Sequence, residues 1–222
     1  AGVGNDSLVD TPTNAAEPSD SGVGNEVVGN YATWNPLAKG GNISLSNGNL
    51  DSSTSTTSGT GTVLGTIGMS SGKWYWEFTG GTGTLGVGLG IAEGSKNLSV
   101  YLGTDVGYEY YSQDGKKYSS AGGAAYGSSY GSGDVIGVTF DADAGALGFY
   151  KNGVSQGTAY TGLTNTPYFP AVADSSGTNI LNGSVNFGQR AFAYTAPTGF
   201  KSLNTANLPE PTIADGSTYF DT

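Results

Sequence analysis

Between Gly133 and Gly153 the chain reads Gly-Asp-Val-Ile-Gly-Val-Thr-Phe-Asp-Ala-Asp-Ala-Gly-Ala-Leu-Gly-Phe-Tyr-Lys-Asn-Gly. Ile136, Val138 and Phe140 alternate with Val135, Gly137 and Thr139, and beyond a polar turn Leu147 and Phe149 alternate with Gly148 and Tyr150. Period-two alternation on both sides of an Asp/Ala/Gly turn predicts a half-buried β-hairpin. Asn152-Gly153 predicts the next turn, because both residues tolerate positive φ at low cost. A second Asn-Gly signal, Asn47-Gly48, separates Ile43-Ser-Leu-Ser46 from Asn49-Leu50.

The order of these words resembles the SPRY/B30.2 domain, and the resemblance extends on both sides. Upstream stand Ser71-Gly-Lys-Trp-Tyr-Trp-Glu-Phe78, the glycine-punctuated Gly86-Val-Gly-Leu-Gly-Ile-Ala92, and Tyr126-Gly127 ahead of Gly133-Asp134. Downstream are Pro170-Ala-Val172 and Val185-Asn-Phe-Gly-Gln189. The resemblance covers roughly residues 60–192. It implies an all-β, antiparallel two-sheet sandwich, SPRY- or jelly-roll-like, that binds partners through its loops and does no chemistry. It names no ligand.

Composition points the same way. Of 222 residues, 39 are Gly, and no long window has helical periodicity, which suits many short strands and tight turns. The expected core includes Trp74, Trp76, Phe78, Leu85, Val87, Leu89, Ile136, Val138, Phe140, Leu147, Phe149, Val172, Val185 and Phe187. Trp74, Trp76 and Phe78 share one face of their strand, and core filling accounts for them better than a sugar-stacking platform does. No apolar run approaches the roughly 18 residues of a membrane span, so no membrane insertion is expected. Lacking an initiator Met and an apolar leader, the chain reads as a processed product or a piece of a longer protein.

The absence of Cys and His removes thiolate nucleophiles, imidazole bases and the usual zinc ligands. Glu77 is the best-placed carboxylate for catalysis, but Tyr75 and Thr79 occupy the same-face positions where a second would have to stand. No enzymatic activity and no cofactor are expected. Asp141-Ala-Asp143 with Gly145 begins like a calcium loop, yet Ala146 and Asn152 fill the positions that need Gly and Glu. A hairpin turn is the better reading, so no metal is expected, with Asp141, Asp143 and Asp174 the first suspects otherwise. The net charge is −10 and the only Arg is Arg190. Such a chain is a poor phosphate binder, and nucleic acid is not an expected partner.

Three regions are predicted: an extended acidic N-terminal arm over 1–37, the sandwich over 38–198 and an extended C-terminal strap over 199–222. The flanks are too sparse in apolar residues to fold alone. Tyr31, Trp34, Leu208, Ile213, Tyr219 and Phe220 are expected to dock along the sandwich or across a neighbouring copy in a homo-oligomer. Asn5-Asp-Ser-Leu-Val-Asp-Thr-Pro-Thr-Asn14, Gly29-Asn-Tyr-Ala-Thr-Trp-Asn-Pro-Leu37 and Leu203-Asn-Thr-Ala-Asn-Leu-Pro-Glu-Pro-Thr-Ile213 resemble connecting segments of tailed-bacteriophage structural proteins. That second resemblance implies a virion fibre, tail or head-decoration module with a virion or extracellular location. Its partners would be other copies, other virion proteins, or a host surface glycan or protein. A free-standing lectin-like or peptide-binding sandwich is the alternative.

Seven tyrosines fall between residues 101 and 130, interleaved with Ser and Gly. Such mixtures suit adaptable recognition, since Tyr offers rigid area with a polar tip. Tyr108, Tyr110 and Tyr126 are expected inside. Tyr111, Tyr118 and Tyr130 are expected at the surface, in or beside recognition loops 93–101, 112–132 and 174–183, together with Asn97, Asp174 and Asn179.

Overall fold

The computed structural model describes residues 29–54, 60–84, 86–164, 166–175 and 180–209. In chain order the strands are β1 (Trp34–Lys39), β2 (Ile43–Ser46), β3 (Asp51–Thr54), β4 (Gly61–Gly65), β5 (Lys73–Gly80), β6 (Val87–Glu93), β7 (Gly107–Tyr111) and β8 (Lys117–Ser119). There follow β9 (Gly122–Ala124), β10 (Val135–Asp141), β11 (Ala146–Lys151), β12 (Val154–Tyr160), β13 (Tyr168–Asp174), β14 (Asn182–Asn186) and β15 (Lys201–Ser202). One sheet runs β1-β4-β13-β6-β7-β8-β9 and the other β12-β11-β10-β5-β14-β3-β2, with the short β15 added parallel to β5. Every other strand pair is antiparallel, and the only helical element among the described residues is a single 3-10 turn at Thr205–Asn207. The chain is an all-β sandwich.

The opening hairpin forms in the register its alternation demands, from Ile136 opposite Lys151 to Asp141 opposite Ala146. Asn152 and Gly153 take φ of 49° and 78°, and Asn47 and Gly48 take 51° and 63°, as Asn-Gly hairpin turns require. Asp134 and Asn152 lock the hairpin's open end. The Asn152 carboxamide accepts from Val135 N–H (2.8 Å) and donates to Asp134 (2.7 Å), which also accepts from Gly131 N–H (2.9 Å) and pairs with Lys151 (3.2 Å). At the closed end Asp141 meets Lys73 (2.8 Å) and Ala144 N–H (3.0 Å), while Asp143 accepts from Gly72 N–H (2.9 Å). These two aspartates therefore build a turn.

The inward faces of both sheets supply one core. Trp74, Trp76, Phe78, Val87, Leu89, Ile136, Val138, Phe140, Leu147, Phe149, Val172, Val185 and Phe187 all lie buried in it. Leu85 is outside the described residues. Burial of each such side chain is worth about 1.5–3 kcal/mol.

The flanks depart from expectation where they are described. Trp34 is fully buried against Phe187, ring centroids 5.5 Å apart, and β1 pairs with β4. A boundary after residue 37 would thus cut through a strand. Tyr31 bridges to Asn204, Leu203 is buried, and Leu208 packs on the core. Tyr31, Trp34 and Leu208 therefore dock along this sandwich, one of the two expected placements, with Trp34 fully buried and Tyr31 and Leu208 partly so. Ile213, Tyr219 and Phe220 lie outside the described residues.

Strand β5 is buried on both faces, which alternation alone does not foretell. The segment after β14 crosses its outer side, where Phe192 stacks edge-on against Tyr75 (4.9 Å). There Glu77 accepts from Ala193 N–H (2.8 Å), Tyr194 N–H (2.9 Å) and the Tyr75 hydroxyl (3.0 Å). The carboxylate singled out for catalysis is a clamp for the crossing chain.

A candidate recognition cleft over Glu109

The outward face of the seven-stranded sheet carries a second small core. Leu64, Ala92, Leu102, Ala171 and Ala173 meet beneath the loop joining β6 to β7. That loop is pinned: Thr62 holds the carbonyls of Leu98 (3.0 Å) and Val100 (2.9 Å), and the Thr104 hydroxyl donates to Tyr101 O (2.7 Å). Lys96, only 4% exposed, reaches back to Thr104 O (2.5 Å), and burial lowers its pKa.

Where this loop meets β7, β8 and the end of β13, a cavity of about 360 Å³ opens, lined by Tyr101, Gly103, Thr104, Glu109, Tyr111, Gln113, Tyr118 and Ser175. The strand period explains the lining. Glu109 and Tyr111 are two apart on β7 and share its outward face, and Tyr118 on β8 stands directly opposite Glu109. On the other side Gly90 faces Glu109 and Gly88 faces Tyr111 across β6. A methyl on Gly88 would collide with the Glu109 carboxylate and come within 2.6 Å of Ser175 Oγ. The bare glycine surface is what lets the carboxylate lie flat on the sheet.

Glu109 is 3% exposed. Its carboxylate accepts from Ser175 Oγ (2.8 Å) and from the backbone N–H of Gly103. Burial pushes its pKa up to about 7, against the pull of those two donors and of Lys96. Tyr111 and Tyr118 form two walls, their ring planes at 89° and centroids 5.7 Å apart. Both hydroxyls are tied, Tyr111 to Gln113 (2.9 Å) and Tyr118 to Asp114 (2.7 Å). The bond to Asp114, then burial, raises the Tyr118 pKa to about 12; burial, then the Glu109 charge, does the same for Tyr111. Tyr101, 39% exposed, stands at the mouth.

Of the residues expected to bind, Tyr111 and Tyr118 come together here. Tyr130 does not: it is 4% exposed, packed on Tyr110 at 4.9 Å, and its hydroxyl reaches the carbonyls of Tyr110 (2.8 Å) and Val87 (3.1 Å). Its Gly/Ser neighbours suggested an exposed loop, but Tyr130 N–H bonds to Ser112 O and draws the loop inward. Asp174 is wholly buried as the last residue of β13, opposite Gly61 and Val87, and is not a loop residue. Asn97 is exposed, but it serves its own loop: its N–H donates to Asp105 (3.2 Å) and its side chain accepts from Ser99 N–H (3.0 Å). Asn179 lies outside the described residues. Tyr110 is buried, and Tyr108 and Tyr126 pack against the core, as expected. The sequence pointed to the loops that hold Gln113 and Ser175 without singling out either residue, and it missed Glu109 and Thr104. The available signal was a lone carboxylate in Gly-Tyr-Glu-Tyr-Tyr beside a strand with alternate glycines.

The fold is shared with the SPRY domain of human HERC1, at TM-score 0.59 and 23% identity over 69% of this chain and 95% of that one. Among characterised sequences, the chain is 33% identical over 141 residues to the E3 ubiquitin-protein ligase RKP of Arabidopsis thaliana, covering 61% of this chain and 11% of that protein. It is 31% identical over 150 residues to a probable ATP-dependent RNA helicase ddx1 of Dictyostelium discoideum, covering 66% and 18%. Against Ran-binding protein 9 of Xenopus tropicalis it is 32% identical over 174 residues, covering 73% and 31%. The chain thus spans less than a third of the length of each of these relatives. The SPRY domain family model matches residues 73–190, more than half of the chain and all of the cleft's strands, and the chain belongs to the SPRY domain family.

Proposed function

We propose that this domain is a non-enzymatic protein-recognition module that grips a segment of a partner protein in the cleft over Glu109. The observation that carries the reading is the cleft itself: tyrosine walls on rigid strands, hydroxyls already tied, around the one carboxylate of the lining. Concave sites with aromatic walls and a few fixed polar groups are how such surfaces bind. Glu77, Asp134 and Asp141 are each engaged by the fold, which argues against a hydrolytic pair built from them. The family is one of binding modules, and the relative named for Ran binding fits this habit.

We also place the module in a virion, bound to other copies or other virion proteins, on the strength of the flanking segments alone. The relatives named above come from a plant, a slime mould and a frog and lend that setting nothing.

Selection of displayed peptides against the full chain, followed by amide-shift mapping, tests the recognition reading. Peptides should perturb Gly103, Thr104 and Ser175 and lose binding to the Tyr111→Ala/Tyr118→Ala variant. Peptides that map to another surface would sink it.

A further inference from the structure

We propose that the cleft selects a cationic side chain, a lysine ammonium or an arginine guanidinium, which the partner segment inserts between the tyrosines to reach Glu109. This rests on the recognition reading above.

Three features converge. The first is an acceptor without an ion pair. Among the described residues the three salt bridges use Asp141, Asp114 and Asp134, and none uses Glu109. Its carboxylate takes one hydrogen bond from Ser175 and one from Gly103 N–H, leaving acceptor capacity toward the cavity. Neutral donors hold its position but do not balance its charge.

The second is the wall chemistry. A cation approaching Glu109 passes Tyr101, Tyr111 and Tyr118, and aromatic rings attract cations by about 0.5–2 kcal/mol. Two rings at right angles, with their hydroxyls fixed by Gln113 and Asp114, leave an opening suited to a slender polar-tipped chain.

The third is the surrounding charge. Asp114 on the β7–β8 turn adds to the negative potential at Glu109, while Lys116 is occupied with Asp114 at 3.3 Å. Lys96 lies behind Thr104, anchored to that residue's carbonyl and hydroxyl (2.5 and 3.2 Å), so it only partly offsets Glu109. An anionic ligand would meet an acidic floor on a chain of net charge −10, and a neutral one would forgo the ion pair.

The raised pKa of Glu109 sharpens the expectation. Ser175, Gly103 N–H and Lys96 favour the charged form, and burial and Asp114 oppose it. A cation in the cleft therefore binds the ionised carboxyl, and affinity rises with pH through about 7.

The test uses n-propylguanidinium and its neutral counterpart N-propylurea, titrated into the full chain while amide shifts are followed. Propylguanidinium should give saturable shifts at Gly103, Thr104 and Ser175 at pH 8, and affinity should fall at least tenfold at pH 5.5. The Glu109→Gln variant, matched in shape and still able to accept from Ser175, should lose at least tenfold at pH 8. Equal affinity of the wild-type chain for the urea, or an unchanged affinity in Glu109→Gln, overturns the proposal. Peptides selected at this cleft that carry no Lys or Arg overturn it too, while leaving the recognition reading intact.

Discussion

Gly88→Ala is the most searching single change, because it tests the glycine surface that seats the cleft's carboxylate. The added methyl would overlap the Glu109 carboxylate and stand 2.7 Å from its Cδ and 2.6 Å from Ser175 Oγ. The Ser175 hydroxyl can rotate aside, but the carboxylate seated on the glycine surface must swing toward solvent. Overpacking costs about 1–3 kcal/mol, and losing a charged hydrogen bond such as the one from Ser175 costs about 1.5–3 kcal/mol. Hydration of the expelled carboxylate returns part of that, leaving a net loss of about 2 kcal/mol, or roughly 4–8 °C in melting temperature at this size. Urea unfolding of Gly88→Ala, Glu109→Ala and the double variant forms a cycle. Once the carboxylate is gone the methyl has room, so the double variant should be no less stable than Glu109→Ala by more than about 0.5 kcal/mol. Strict additivity of the two losses would refute the claim that Gly88 is small on account of Glu109.

Other consequences follow from the same geometry. The carboxyl of Glu109 is raised to about 7 in the fold from an ordinary value of 4.5, so its contribution is fully present below 4.5 and lost as pH rises through 7. Glu109→Gln should therefore flatten the decline in melting temperature between pH 5 and pH 8 and be the more stable protein at pH 8; an unchanged slope would show that the group is hydrated. Tyr130→Phe should cost about 1–2 kcal/mol in urea unfolding, since its hydroxyl is the buried donor to the Tyr110 and Val87 carbonyls. Trp34→Ala should cost about 3–5 kcal/mol, and a chain limited to residues 38–198, which lacks Trp34 and Leu203, should show still lower cooperativity in thermal unfolding; wild-type stability in either would mean the N-terminal segment is not part of the core. Glu77→Gln should loosen the segment after β14, read as faster hydrogen exchange at Ala193 and Tyr194, and exchange unchanged at both would argue against the clamp.

What the residues settle on their own is local. Alternation of Ile136, Val138 and Phe140 with smaller neighbours, and of Leu147 and Phe149 beyond the turn, dictates a hairpin with one face in a core, because side chains in a strand point to opposite faces in strict turn. Asn47-Gly48 and Asn152-Gly153 dictate their turns through backbone conformations that few other residues adopt without strain. Trp74, Trp76 and Phe78 are too large to leave in water, which places them inside whatever the partner sheet is. From such signals the sandwich and much of its core could be read.

Which groups meet across the molecule was not written in any window of sequence. Tyr130 has the Gly/Ser context of a surface loop, and only the docking of residues 126–134 on Tyr110 makes it core. Trp34 looked like an arm residue until β1 was seen to close the edge beside β4. Glu77 lacked a carboxylate partner on its own strand face, but what it does instead appears only where a segment more than a hundred residues later brings two amide donors to it. The cleft is the same case: Gly88, Gly103, Glu109, Tyr118 and Ser175 lie on separate elements, and only strand pairing together with the pinned β6–β7 loop brings them within reach of one another. Period and turn chemistry act over a few residues, whereas the burial and polarity of a site depend on which strand packs beside which. That choice is made by the summed contacts of the whole sandwich, and it was this sum that turned a lone carboxylate among tyrosines into the floor of a cleft.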